Sequence, residues 1–434
     1  MNISYKIDWE KVKSLSDRWI KEGTKYASAV NEFVRIGETK GWDKAGKEPV
    51  ETRKDMALAV LKIIRQANVT NDIKNLKKYF PPASIPFLSL EKDEQTVIGS
   101  ILLEDGSIIL NVRGKGKGKN KVFFIDIERN IKVLENVIYV GKCPDKKYFA
   151  FAYENHIELH EGINGKVIMN LAWPTGLEGL KCGVITNSEN IKTNIKDIII
   201  FPNGKKILLI SLSGIFVISE KEPVRLYPDK DLMSYILEEH EKDDEINFRI
   251  DMAHGAISSD GELIAIGAQD SNHLILDSNY KLISILEPES SYPHFTLFSK
   301  DNKHVIFNSC HFYNGCTLEV NINGLEAYEN TIIDEVCRVY AGVARNEGYI
   351  IGDANGYIHF INMDREIGWR YYIGGTISSM DICNNQLLVG TYAGTAHLIN
   401  LDTGKEDPYR IGNSTNIEED RFLVWGSEKG VLQW

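Results

Sequence analysis

The chain has 434 residues, 43% hydrophobic and 26% charged, with a formal net charge of −11 at pH 7. This composition excludes wholesale disorder and collagen-like fibres, and no apolar run approaches the roughly 18 residues of a transmembrane helix. The six cysteines include no Cys-x-x-Cys pair, which argues against a disulfide framework and a structural zinc site, so we expect a cytoplasmic protein without membrane contact.

The charge is distributed unevenly along the chain. Residues 1–83 contain 17 Lys and Arg against 11 Asp and Glu, and the remainder contains 33 against 50, so a front of +6 precedes a body of −17. An acidic body repels nucleic acid and attracts basic partners, whereas the alternative is acidity that only maintains solubility. The split predicts two modules, of which the second binds a protein partner of basic character.

Residues 1–83 have the pattern of a helical N-terminal domain. Apolar residues recur at helical intervals after Asp8, and glycines at positions 37 and 41 are expected to break this first helix. A second helix is predicted after Pro49, with one apolar face made by Met56, Val60, Ile63 and Ala67. A short third helix should end near Phe80, and the prolines at 81, 82 and 86 mark the domain boundary.

From residue 84 onward the pattern changes to short apolar strands separated by tight turns such as Asp260-Gly261. Segments 198–219, 256–277, 343–362 and 386–405 align with one another as strand, turn, strand, loop and strand, and a more polar fourth strand follows. Four short strands repeated about every 40 residues form one blade of a β-propeller. Blades bury their faces by stacking radially against one another.

The repeats also predict how such a ring would close. Complete blades begin near residues 96, 138, 195, 252, 293, 338 and 376, and the tail at 416–434 provides three further strands. A strand at 85–91 could pair with this tail as a composite eighth blade, which would remove exposed sheet edges. We therefore predict a mainly β fold, with an eight-bladed propeller over residues 84–434 and seven blades as the alternative count.

Two repeats, 353–375 and 391–412, carry a glycine turn, an apolar inner strand and a D-x-x-G-K or Gly-Trp element. In these features they resemble the repeats of bacterial WD40-like and pyrroloquinoline-quinone-type β-propellers, and the resemblance extends over most of residues 96–434. The Gly-His and Trp-Asp pairs of WD40 repeats are absent, and so is a complete quinone-binding motif. The resemblance implies a protein-interaction scaffold in most cases and an enzyme in a minority, and no cofactor is expected.

The most biased segment is a glycine- and lysine-rich stretch that contains Arg113, Lys115, Lys117 and Lys119. These residues could contact an anion such as a phosphate. Because the stretch lacks the helix start of a P-loop, the preferred interpretation is a solvated loop, and nucleic-acid binding by the ring is not expected.

Histidine and cysteine spacings give no metal prediction. His156 and His160 lie four residues apart on one strand, which separates their Cα atoms by roughly 13 Å and prevents them from sharing an ion. Cys310, His311 and Cys316 are closer together, but the second ligand pair that zinc requires is absent. Buried free thiols are therefore the preferred interpretation.

One face of the predicted ring is the candidate binding surface. In a propeller, the loops between second and third strands open on the same face as the connections into the next blade, and binding residues concentrate in such loops. Here that face is rich in aromatic, histidine and acidic residues, namely His254, Asp270, Tyr292, His294, His311, Phe312, Tyr313, Tyr340, Asp353, Asn355 and Tyr392. Aromatic residues are enriched at protein interfaces. An insertion at 229–245 is predicted to form a short helix with an acidic end.

Three functional hypotheses follow. The first is a non-catalytic scaffold that binds a protein through this face, since the chain contains no P-loop, H-E-x-x-H or G-x-S-x-G motif. The second is an acidic immunity or inhibitor protein that masks a basic toxin or nuclease, because the acidic body would steer a cationic partner. The third is a hydrolase or lyase that uses histidine, tyrosine and aspartate side chains of the face for acid–base chemistry.

Overall fold

The computed structural model describes residues 6–87, 90, 95–114, 120–176, 178, 188–238, 249–312, 314–323, 326–403, 418–426, 428 and 430–434. The chain divides into two compact units: the first comprises residues 1–104 and 350–434, and the second comprises residues 105–349. The N-terminal helices therefore belong to the same unit as the C-terminal strands, and no unit boundary lies at residue 83. No helix in the described part of the chain combines the length and apolar character needed to cross a membrane.

The described residues form five α-helices and 29 strands. The helices are α1 (Lys13–Lys40), α2 (Ala57–Thr70), α3 (Ile73–Tyr79), α4 (Ser188–Thr193) and α5 (Lys230–Glu238). The strands up to the middle of the chain are β1 (Val97–Leu102), β2 (Ile108–Val112), β3 (Lys121–Ile125), β4 (Ile131–Val133), β5 (Val137–Lys142), β6 (Tyr148–Tyr153), β7 (Ile157–Glu161), β8 (Val167–Leu171), β9 (Ile195–Ile200), β10 (Lys206–Ser211), β11 (Gly214–Ser219) and β12 (Val224–Tyr227). The remaining strands are β13 (His254–Ile257), β14 (Leu263–Gly267), β15 (His273–Asp277), β16 (Leu282–Leu286), β17 (Tyr292–Phe298), β18 (His304–His311), β19 (Asn314–Asn323), β20 (Glu326–Asp334), β21 (Val339–Arg345), β22 (Gly348–Asp353), β23 (Tyr357–Asn362), β24 (Ile367–Tyr372), β25 (Ile377–Cys383), β26 (Gln386–Thr391), β27 (Thr395–Asn400), β28 (Glu418–Leu423) and β29 (Leu432–Gln433).

Helix α1 runs through one of the two glycines that were expected to end it. It ends at Gly41, whose φ of 99° suits glycine. Gly37 remains inside the helix, and a Cβ atom there would lie 2.3 Å from the ring of Trp42. This glycine therefore gives the indole room to fold back onto α1.

The N-terminal helices share one hydrophobic core with the C-terminal residues. Trp19 of α1 and Trp434 are both fully buried, and their ring centroids lie 6.3 Å apart. The indole N–H of Trp434 donates to the carbonyl of Phe80 at 2.7 Å, and that of Trp19 donates to the carbonyl of Pro81 at 2.8 Å. The helices thus complete the core of the tail, whereas the sequence predicted a separate helical domain at 1–83.

The second unit contains four complete antiparallel meanders of four strands, β5–β8, β9–β12, β13–β16 and β17–β20. Their first strands begin within two residues of the predicted starts at 138, 195, 252 and 293, so these predictions are confirmed. Strands β5 and β9 pair in parallel at Lys142 and Ile199, which joins the first two meanders into one eight-stranded sheet. The predicted helix in the insertion at 229–245 is α5, and residues 239–248 lie outside the described part of the chain.

The composite eighth blade is not formed by the described residues. Ile85–Phe87 form a 3₁₀-helix instead of a strand. The tail strand β28 pairs antiparallel with β27, so it is the fourth strand of the meander β25–β28, and the short β29 extends that sheet. Among the described residues, no strand lies between the end of β27 and residue 418. The tail strand β28 therefore occupies the free edge of β27.

Within the first unit, strand β1 lies directly beside β25, which leaves no space for a further blade between them. The Ser378 hydroxyl donates to the carbonyl of Val97 at 2.6 Å. The backbone N–H of Leu102 donates to the Asp381 carboxylate at 2.8 Å. The first and last β-strand groups of the chain are therefore neighbours in this unit.

Buried asparagines connect successive meanders in the second unit. The Asn308 amide of β18 donates to the carbonyl of Cys337 at 2.9 Å and accepts the N–H of Val339 at 3.0 Å. Asn111 of β2 makes the same pair of bonds with Val140 of β5, at 2.9 and 2.7 Å. Each side chain thus satisfies backbone groups that the sheet hydrogen bonds leave unpaired.

Replacing Asn308 with alanine is expected to lower the free energy of unfolding by about 3 kcal/mol, because a buried N–H and a buried carbonyl lose their partner. Denaturant unfolding followed by circular dichroism measures this loss. Asn279→Ala is the matched control, since Asn279 is exposed and its replacement should change stability by less than about 0.5 kcal/mol. Equal stabilities of the two variants would contradict the connecting role of Asn308.

Candidate functional site

The candidate site lies at one end of the β17–β20 meander. Strands β18 and β19 are joined after the pair His311 and Asn314 by a two-residue turn. The first turn residue, Phe312, has a φ of 55°, and 71% of its surface is exposed. Hairpin turns with positive φ favour asparagine or glycine, and a bulky residue there costs about 1–3 kcal/mol of strain. Tyr313, which was also a predicted site residue, lies outside the described residues.

Arg338 holds the turn in place. Its guanidinium donates to the carbonyl of Phe312 at 2.7 Å and contacts Nε2 of His294 at 3.3 Å. The same guanidinium lies over the ring of Tyr340, 5.0 Å from its centroid. Arg338 therefore links three of the predicted site residues, although no motif or spacing in the sequence distinguished it from other arginines.

Four exposed residues lie in the turn or beside it, and we call them the aromatic tip: Tyr292, His311, Phe312 and Val336. The ring of His311 lies 4.4 Å from that of Phe312 and 6.4 Å from that of Tyr292. Val336 is 69% exposed, and its carbonyl accepts the N–H of Gly315 at 3.3 Å. Val336 was not among the predicted residues, because that face was described by its aromatic, histidine and acidic side chains and valine belongs to none of these classes.

Acidic residues border the aromatic tip. Burial raises the pKa of the Cys316 thiol to about 11, and the negative charges of Glu289, Glu335 and Asp334 act in the same direction. Glu289 and Glu335 are exposed. Asp334 accepts the N–H groups of Val336 and Cys337 at 3.1 and 2.7 Å. We call these three carboxylates the acidic border.

The two predicted histidines in the inner strands are buried instead of lying on the surface. Nδ1 of His294 lies 2.7 Å from the carbonyl of Val339, which places the proton on Nδ1 and leaves Nε2 to accept from Arg338. Burial and the positive charge of Arg338 lower the pKa of His294 well below its usual range. Nδ1 of His254 bonds in the same way to the carbonyl of Met252, and burial lowers the pKa of His254 to about 4.

Three predicted site residues, Asp353, Asn355 and Tyr392, belong to the first unit. Asp353 is buried, and its carboxylate accepts the N–H groups of Asn355 and Tyr357 at 2.9 and 2.8 Å. The other carboxylate oxygen lies 2.9 Å from Nε2 of His359. Asp353 thus forms a turn and is not available to a partner. Asn355 is exposed and Tyr392 is half-buried.

The remaining predictions concern the basic loop and the histidine spacings. Arg113 is half-buried after β2, whereas Lys115, Lys117 and Lys119 lie outside the described residues. His156 and His160 each place Nε2 at 3.1 Å from a different oxygen of Glu158. The Glu158 carboxylate therefore lies between the two imidazole rings and bonds to both.

Comparisons with known proteins give a likeness to solved structures and no match in sequence. No family model matches the chain, and no curated protein matches it. Among solved structures, the chain is similar to the β-propeller domain of Cps50 (Swd1) from Myceliophteria thermophila, with 11% sequence identity and a TM-score of 0.45. The match covers 70% of this chain and 95% of that domain.

Proposed function

We propose that the protein is a non-catalytic β-propeller scaffold that binds a protein partner through the aromatic tip. The observation that carries this proposal is the exposed Phe312, which is held in a left-handed conformation by the bond between its carbonyl and Arg338. Strain of this kind persists where the surrounding structure enforces it, and it concentrates at functional positions.

The proposed propeller has seven blades. Taken in chain order, strands β1 to β28 make seven sets of four, and only the two-residue β29 is left over among the described strands. Strand β1 lies beside β25, which favours seven blades over the eight predicted from the sequence.

The energetics of the tip suit a binding hot spot. Burying a phenylalanine side chain against a partner contributes about 1.5–3 kcal/mol, and hot-spot residues contribute about 2 kcal/mol or more. Because Arg338 fixes the backbone of Phe312 before binding, little conformational entropy is lost when a partner arrives.

The buried histidines support a binding function over a catalytic one. A general base works best with a pKa near the operating pH and within reach of its substrate. His254 is buried and its pKa is lowered to about 4. Nε2 of His294 already accepts from Arg338. Neither imidazole is prepared for proton transfer to a substrate.

Photo-crosslinking tests the proposal. With p-benzoylphenylalanine at position 312, irradiation in the native cells is expected to join the protein to a partner, and with the same group at position 285 it is not. Ile285 is a matched control because it is 55% exposed and lies on β16 of the same unit.

The captured partner should then bind Phe312→Ser about 30-fold more weakly than the wild type, a loss of about 2 kcal/mol. Ile285→Ser should bind with unchanged affinity, and isothermal titration calorimetry measures both. Equal affinities of the two variants would exclude the aromatic tip as the binding surface.

A further inference from the structure

We infer that the aromatic tip recognises a protein segment in which an arginine or lysine adjoins an apolar residue. The inference rests on the proposed function and adds the chemistry of the partner. It is carried by the juxtaposition of exposed apolar residues with two glutamates, Glu289 and Glu335, which form no ion pair among the described residues.

The apolar part of the surface comes from two neighbouring segments. Phe312 and Val336 are 71% and 69% exposed, and the turn that carries Phe312 is connected to Val336 through Gly315. A Cβ atom on Gly315 would lie 2.2 Å from the carbonyl of Cys337, so glycine at this position permits the close approach of the two segments. Phe312 and Val336 therefore lie on neighbouring segments at this end of the meander.

The acidic part lies at the same end of the meander. Glu289 precedes Tyr292 by three residues, and Glu335 directly precedes Val336. Neither glutamate forms an ion pair within the part of the chain that the structure describes. The neighbouring cation, Arg338, contacts Phe312, His294 and Tyr340.

A cationic side chain interacts favourably with aromatic rings and with carboxylates. Arginine and lysine are attracted to aromatic ring faces by about 0.5–1 kcal/mol at exposed sites, and an arginine already lies over the ring of Tyr340 beneath the tip. Carboxylates at the border of an interface accelerate association with a basic partner and repel an acidic one. The charge of −17 after residue 83 adds steering of the same sign, and it disfavours nucleic acid and anionic membranes.

Selection from a random dodecapeptide library tests the inference directly. Peptides that bind the full-length wild-type protein are retained, and those that also bind Phe312→Ser are removed. The retained peptides are expected to be enriched in arginine or lysine next to leucine, isoleucine, valine or an aromatic residue.

A synthetic peptide from this selection should bind a Glu289→Gln, Glu335→Gln double variant about tenfold more weakly. The matched control is the double variant Glu128→Gln, Glu222→Gln, which changes the same net charge at two exposed residues of the same unit and should bind normally. Affinity for the wild type should fall as salt rises, and this dependence should weaken in the first double variant only.

The outcomes separate the two proposals. If retained peptides depend on Phe312 but are neutral or acidic, or if the two double variants bind equally, the basic partner is wrong and the protein-binding tip stands. If no peptide depends on Phe312 and no protein is captured at position 312, the proposed function fails as well.

Discussion

Replacing Trp19 with alanine is expected to lower the free energy of unfolding of the first unit by about 3–5 kcal/mol. Trp19 is fully buried, and its ring packs against Phe80, Phe87 and Trp434 at centroid distances of 5.9 to 6.5 Å. The guanidinium of Arg53 lies 4.7 Å from the same ring. Alanine would leave a cavity between the helices and the tail. Guanidinium-induced unfolding followed by tryptophan fluorescence measures the resulting loss of free energy of unfolding.

Trp42→Ala is the matched control for this prediction. Trp42 is 56% exposed and packs at 5.7 Å against Phe33 of the same helical segment. Its replacement should cost less than about 1 kcal/mol. If Trp19→Ala were no less stable than Trp42→Ala, the N-terminal helices would not share a core with the tail, and the separate helical domain predicted from the sequence would be favoured again.

The second unit is expected to lose stability as the pH falls from about 6.5 towards 4. Burial lowers the pKa of His254 to about 4 and that of His273 to about 3; burial and Arg338 lower the pKa of His294. An unfolded histidine titrates near 6.5. Between pH 6.5 and 5 the excess of protons bound by the unfolded chain therefore rises from about 1.5 to nearly three, and the loss of stability steepens to about 4 kcal/mol per pH unit.

The dependence is measured as the free energy of unfolding between pH 6.5 and 5, where the carboxylates with lowered pKa values remain ionised. His273→Phe should reduce the slope by about one third, since one proton fewer is taken up on unfolding. Phenylalanine suits this position because His273 stacks on Phe307 at 4.5 Å. A slope that is unchanged in His273→Phe would contradict the buried, neutral state of this histidine.

The strand pattern is the part of the fold that could be predicted from the sequence. The starts of β5, β9, β13 and β17 were predicted within two residues, because apolar alternation and turn pairs act over a few neighbouring residues. Asp260-Gly261 is an example: Gly261 has a φ of 78°, as its turn requires. The pairing of the tail was predicted wrongly, since the contact between Thr395 and Leu423 depends on which sheet edge is free.

The candidate site was predicted in part. Tyr292, His311 and Phe312 were selected by residue type and are exposed together. Arg338 was not predicted, because its importance comes from three contacts with residues 2 to 44 positions away in sequence. His254 and His294 were predicted at the surface, but both are buried. Each Nδ1 bonds to a backbone carbonyl, that of Met252 or Val339.

A mainly β chain of repeated short strands behind three helices, with an aromatic turn in one repeat, could be predicted from the residues alone. These features depend on periodicity and turn chemistry, which operate within tens of residues. Three features emerged from the folded chain: Trp19 and Trp434 share a core, the tail strand completes the last meander, and Arg338 bonds to Phe312. Each of these joins distant parts of the chain through burial and hydrogen-bond satisfaction, which local patterns do not encode.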